Sequence, residues 1–147
     1  MRFRSALAGL LVFGALAPSS LRAQQTDTTA AVAAAQAAAL AWLSLIDNGS
    51  IAASWDSSSA AFRAAVSRTD WTAAVHSARD PFEPFGARQL ALSRYTTQLP
   101  GAPAGQYVLL QFETGVSQGR RVVETVVPMV DPDGQWRVSG YYVRPTP

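Results

Sequence analysis

The chain has 147 residues, of which 48% are hydrophobic and only 15% charged, enough for one domain plus a short leader but not for two folded domains. All twelve basic residues are arginine, His76 is the single histidine, and there is no lysine or cysteine. These counts exclude Schiff-base and phosphate-loop lysines, thiolate nucleophiles, disulfides, thiolate-bound metals and multi-histidine metal sites. Only an all-oxygen site for a hard cation survives, and no motif calls for a cofactor, a metal ligand or an assigned catalytic residue.

The first 23 residues read as a secretory leader. Arg2 and Arg4 make a basic start, an apolar run follows from Ala6 to Ala17, and Leu21-Arg22-Ala23 supplies a small-residue cleavage pattern. A run of about 12 apolar residues falls short of the ~20 needed to span a bilayer. The reading is therefore export with cleavage after Ala23, to the periplasm or the medium. No later segment reads as a membrane span. Arg2, Arg4 and Arg22 also account for the formal charge of +2: nine arginines against ten acids remain beyond them. The basic isoelectric point thus gives no argument for nucleic-acid binding.

Residues 24–147 read as a single α+β domain. From Ala30 an alanine-rich helix, with Thr28 or Thr29 as N-cap, sets Val32, Ala35, Ala39, Trp42, Leu43 and Ile46 on one face. Asp47-Asn48-Gly49 stops it. Short helices follow over 50–55, 60–66 and 70–78, the last capped by Thr69. Asp80-Pro81 closes the helical half. Strands are expected over 88–98, 106–116, 120–130 and 135–143, joined by short turns into an antiparallel meander. The helices would pack on this curved sheet in a cystatin-like or NTF2-like arrangement. Val108, Leu110, Phe112, Val123, Val127, Met129, Trp136 and Val138 would face the long helix, and Gly140 would let the last strand bend.

The wording of this segment resembles a known family. Ala53-Ser54-Trp55-Asp56, Phe62, Trp71, Tyr95-Thr96-Thr97, Leu99-Pro100-Gly101-Ala102-Pro103, Gln111-Phe112-Glu113-Thr114 and Glu124-Thr125-Val126 carry the likeness. The closing Gly134-Gln135-Trp136-Arg137-Val138-Ser139-Gly140-Tyr141-Tyr142 is its most specific part. Together they are similar to the bacterial exported family known as domain of unknown function 4019. The resemblance implies one compact exported domain and supplies no catalytic residues.

Register arithmetic gives one candidate site. A two-residue turn at Gln118-Gly119 would set Ser117 opposite Arg120 and Glu113 opposite Glu124. Pairing Val130 with Gln135 would then set Tyr141 opposite Glu124. Glu113, Glu124 and Tyr141 would form a row on the outer face, extended by Ser93 or Ala91, and like charges so placed need a compensator. Solvent, a shared proton, or a bridging arginine, cation or ligand could supply it, so the row reads either as solvated glutamates or as a candidate site for a cationic or hydroxyl-bearing ligand. The same face would expose Tyr95, Tyr107, Leu109, Val122, Val126 and Val143, a patch suited to a partner, most simply a second copy of the chain or an envelope protein.

Other features have structural explanations. His76 lies among neighbours on one helix, which cannot converge as a triad. Asp131, Asp133 and Gly134 lack the ligands of a calcium loop and read as a hairpin turn. Trp42, Trp55, Trp71 and Trp136 read as core. The leading expectation is an exported, non-catalytic domain that binds a partner protein or small ligand through its sheet face or the cone between helix and sheet. Two alternatives stand beside it. One is a metal-independent NTF2-like enzyme using the paired carboxylates; the other is a structural envelope homodimer.

Overall fold

The computed structural model describes residues 19–146, with side chains from residue 27. Apart from the helical backbone of residues 19–23, the expected leader lies outside the described residues. Four helices precede four strands: α1 (Ser19–Asp47), α2 (Ile51–Asp56), α3 (Ala60–Ala65), α4 (Arg68–Arg79), then β1 (Arg88–Thr96), β2 (Tyr107–Gly115), β3 (Arg121–Val130) and β4 (Trp136–Pro145). The strands form one antiparallel sheet in the order β1-β2-β3-β4. The helices cover one face of it. This is the α+β architecture expected from the order of elements.

Helix α1 starts upstream of the expected cap, so Thr28 and Thr29 lie within the helix rather than at its end. Residues 19–29 contain neither glycine nor proline, so no helix breaker stops the helix at the expected cap. Its stop is as read: Gly49 takes a left-handed φ of 79°. Ala35, Ala39, Trp42, Leu43 and Ile46 are buried against the sheet. Asp27–Asp47 does contain 21 residues apolar enough to cross a membrane by length and composition, with mean hydropathy 1.7. That corrects the reading that no later segment qualifies. Only 28% of that apolar stretch is buried: the stripe that packs on the domain's own sheet supplies part of the composition, and alanines outside it and Leu40 supply the rest.

Serine side chains cap α3 and α4, whereas Ser50 before α2 makes no side-chain cap bond. Ser59 Oγ accepts from Phe62 N (3.1 Å) at the start of α3, and Ser67 Oγ accepts from Asp70 N (3.1 Å) at the start of α4. The cap of α4 is thus Ser67 rather than Thr69. Asp131, in the β3–β4 turn, also accepts from Ala60 N at 3.2 Å, tying α3 to the sheet.

The register differs from the expected one at both hairpins, because each turn holds three residues, where two and four are expected. Val116 N bonds Arg120 O (2.9 Å), and Ser117–Gly119 form a 3-10 turn in which Gln118 (φ 61°) and Gly119 (φ 68°) are both left-handed. The loop is one residue longer than a two-residue turn. Phe112 therefore pairs with Glu124, and Glu113 with Val123. A one-residue slip moves every side chain of a strand to the other face. Val122, Glu124 and Val126 turn inward, whereas Val123, Val127 and Met129 turn outward. At the next hairpin Asp131 N bonds Gln135 O, so the turn holds residues 132–134 and is one residue shorter than expected. A bulge then shifts the register between Val127 and Pro128, leaving Ser139 as the extra residue of β4. Trp136 and Val138 face the helices before the bulge, and Tyr141 and Val143 do so after it. Gly140 sits at this bend, as expected.

Candidate functional site

The slip in β3 puts Glu124 under the helices, completely buried. An isolated carboxylate there would be untenable, and the surrounding elements supply donors. Arg88, the first residue of β1, donates from Nε to Glu124 Oε2 (2.6 Å) and from Nη2 to Oε1 (3.1 Å). Thr114 Oγ1 on β2 donates to Oε2 (2.6 Å), and the Tyr141 hydroxyl on β4 donates to Oε1 (2.6 Å). Arg79, at the end of α4 and 1% exposed, lies 3.5 Å from Glu124 Oε1 and donates to the Tyr141 oxygen (3.1 Å).

Asp47, the last residue of α1, closes the cluster. It accepts from Arg79 Nη2 (2.7 Å) and from both terminal nitrogens of Arg88 (2.5 and 2.9 Å). Glu83 accepts from Arg79 Nε (3.1 Å), and the Arg79 guanidinium stacks 3.7 Å from the Phe85 ring centre. No buried side-chain polar atom among the described residues lacks a partner. The cluster thus joins α1, α4 and all four strands through two arginines shared among three carboxylates.

Burial alone would push Asp47 upward, but hydrogen bonds from Arg88 and Arg79 prevail and hold it below the ordinary carboxylate value. Burial likewise opposes the charge on both guanidiniums. Hydrogen bonds to Asp47 and Glu124 nonetheless hold Arg88 above its ordinary value, and Tyr141, Asp47 and Glu83 do so for Arg79. Burial, reinforced by the charge of Glu124, raises Tyr141 and keeps it a neutral donor. Because the folded Asp47 titrates below its unfolded value, its contribution to stability is present above about pH 4 and is lost as pH falls through the lower folded value. The stability gap between the native protein and Asp47→Asn, read from urea midpoints, is therefore expected to shrink below about pH 4. A gap that stays constant into acid would contradict this.

Of the expected row, Glu124 and Tyr141 meet, but on the inner face and diagonally rather than directly opposite. Glu113 does not join them: it lies on the outer face, where Arg121 pairs with it at 3.2 Å. The acidic couple is thus replaced by an acid between two arginines. Ser93 is exposed on β1, opposite Leu110 and away from Glu124. The outer patch is also reassigned. Val122 and Val126 are fully buried on the inner face, while Tyr95 and Val143 pack against the core beneath the helices. Tyr107 is buried, and its hydroxyl donates to Pro103 O (2.7 Å) in the β1–β2 loop. Leu109 remains on the outer face, half-buried. Asp47, Arg79, Arg88 and Thr114 escaped the sequence reading. In the sequence Asp47 reads only as part of a helix stop, and a buried arginine carries no local signature.

A second concave feature lies where β4 bends. A cleft of about 420 Å³ is lined by Phe62, Val66, Trp71, Ala74, Tyr107 and Met129 among other side chains, with Tyr141 and Tyr142 at the strand. It has no carboxylate in its lining. His76 is exposed near Asp80, with Nδ1 3.2 Å from Oδ1, on another part of the surface.

Comparison with protein families matches residues 38–141 to "Protein of unknown function (DUF4019)". The chain belongs to this family. The match begins within α1, whose Asp47 enters the cluster, and ends at Tyr141 on β4. The DUF4019 segment therefore contains all the polar partners that surround Glu124. No curated protein and no solved structure matches the chain.

Proposed function

We propose that this DUF4019 protein is an exported, non-catalytic binding domain whose seat is the apolar cleft beside the bend of β4. One observation carries the reading: the buried carboxylates are consumed by arginines, Thr114 and Tyr141, whereas the cleft is lined by aromatic and aliphatic groups. A general acid or base must reach its substrate. Glu124 is fully buried and already satisfied. The cluster is a brace that fixes α1, α4 and the sheet around the cleft. At about 420 Å³ the cleft lies within the range of small-ligand sites, and its lining favours an uncharged, apolar ligand or side chain. The basic, apolar start of the chain supports export with cleavage after Ala23, which would leave α1 to begin at Gln24.

Titration with indole followed by methyl NMR tests the seat. The expected result is saturable shifts confined to the methyls of Ala61, Ala65, Val66, Ala74 and Met129, which line the cleft. Those shifts should be lost in Ala74→Phe, which fills the space. No shift at millimolar indole, or identical shifts in the filled variant, would overturn the reading.

A further inference from the structure

The opposite edge of the sheet carries a different feature, independent of the cleft. Strand β1 is an edge strand with residues 89–94 all exposed, including Leu90 (38%) and Leu92 (39%). Its hydrogen-bonding phase can be read from its neighbours. Gly115 bonds Gly86 N and Ala87 O, so on β2 the odd positions face β1. Their partners Gln89, Leu92, Arg94 and Thr96 are the residues bonded inward. The backbone N–H and C=O of Arg88, Leu90, Ser93 and Tyr95 point away from the sheet. Among the described residues no other segment takes them. Neither proline nor lysine blunts this edge.

We infer that β1 pairs with β1 of a second copy, antiparallel, to join two sheets into one of eight strands. The phase selects a single register. Leu90 pairs with Ser93 of the second copy and Arg88 with Tyr95, each pair repeated by the two-fold axis, which passes between Ala91 and Leu92. All four outward-facing residues then find an outward-facing partner. That gives about eight hydrogen bonds between copies, within the usual complement of about ten per interface. Charge agrees with the same register: Arg94 falls opposite Gln89 and Arg88 opposite Tyr95, so no like charges meet. Pairing Ala91 with itself would instead set Arg88 against Arg94. A bulge normally spoils an edge for pairing. Here the β1 bulge lies between Leu90 and Leu92, at the axis, where each copy meets the same bend. The occupant of this edge is a second copy of the chain, because its donors, acceptors and charges complement themselves.

The test uses sedimentation equilibrium and engineered cross-linking of the full-length protein expressed and purified from its own host. The native protein is expected to be a concentration-dependent dimer. Ser93→Pro, which removes only an outward N–H, is expected to be monomeric with an unchanged circular dichroism spectrum. The double variant Gln89→Cys/Arg94→Cys places cysteines opposite one another across the axis at a non-hydrogen-bonded pair, about 4.5 Å between Cα atoms and within disulfide reach. The chain has no cysteine of its own, so a covalent dimer on oxidation reports this register. A native protein that is monomeric at its highest soluble concentration would overturn the inference. So would a dimer that yields no cross-link, because it must form elsewhere. If Ser93→Pro fails to fold, the cysteine pair decides alone.

Discussion

Replacing Glu124 with alanine is expected to lower the free energy of unfolding by about 3–5 kcal/mol, the largest loss from any single polar change in this chain. The substitution removes an anion that two guanidiniums, a hydroxyl and a phenol all address, and each is buried or nearly so. Arg88 keeps Asp47, and Arg79 keeps Asp47 and Glu83, but both arginines lose their central partner. Thr114 and Tyr141 are left with donors in a space too apolar to satisfy them. Adding Arg88→Met to Glu124→Ala should recover part of the loss, because the two side chains share one interaction. Equilibrium unfolding in urea measures both. A loss below about 1 kcal/mol for Glu124→Ala would mean that the carboxylate is solvated and the cluster absent.

The second large effect is expected at Trp42. This side chain joins α1 to α2 and to the sheet: its Nε1 donates to Ser54 O (2.8 Å) and Ser58 Oγ (3.0 Å), and its ring lies 5.6 Å from Trp71 and 5.5 Å from Tyr141. Trp42→Ala is expected to cost about 3–5 kcal/mol, from lost burial and from the cavity left among rings that cannot collapse. Trp42→Phe should cost only about 1 kcal/mol, because Ser54 O is also bonded by the Ser58 hydroxyl. Equal losses for the two variants would show that the hydrogen bonds, rather than the ring's volume, hold α2 in place.

How much of this was legible in the sequence depends on whether a local pattern carried the information. The stripe on α1 was readable, since Ala35, Ala39, Trp42, Leu43 and Ile46 recur at helical spacing and all are buried. In β2, polar Gln111 and Glu113 mark the outer face, and the inward positions Val108, Leu110 and Phe112 could be read. In β3 that signal vanishes. Val122, Val123, Val126 and Val127 are apolar on both parities, so alternation cannot choose a face. The choice then rests on loop length, and the left-handed Gln118 lengthens the loop by one residue.

That odd slip separates Glu113 from Glu124. The combined change between β3 and β4, one residue from the turn and one from the bulge, is even. It therefore leaves Tyr141 and Glu124 on a common face, although the face itself is inverted. The arginine partners were illegible for a different reason. Arg79 and Arg88 are brought together with Asp47 and Glu124 by tertiary packing, not by any spacing along the chain.

The account rests on the pairing of β2 with β3, and one measurement addresses it most directly: the cross-strand Hα–Hα nuclear Overhauser effects of the isotopically labelled protein. Glu113 and Val123 face each other at a non-hydrogen-bonded position, where opposed Cα atoms lie about 4.5 Å apart. A strong Glu113–Val123 signal, with a matching one between Gln111 and Thr125, is the predicted result. A strong Glu113–Glu124 signal in its place would return Glu124 to the outer face and contradict the buried cluster.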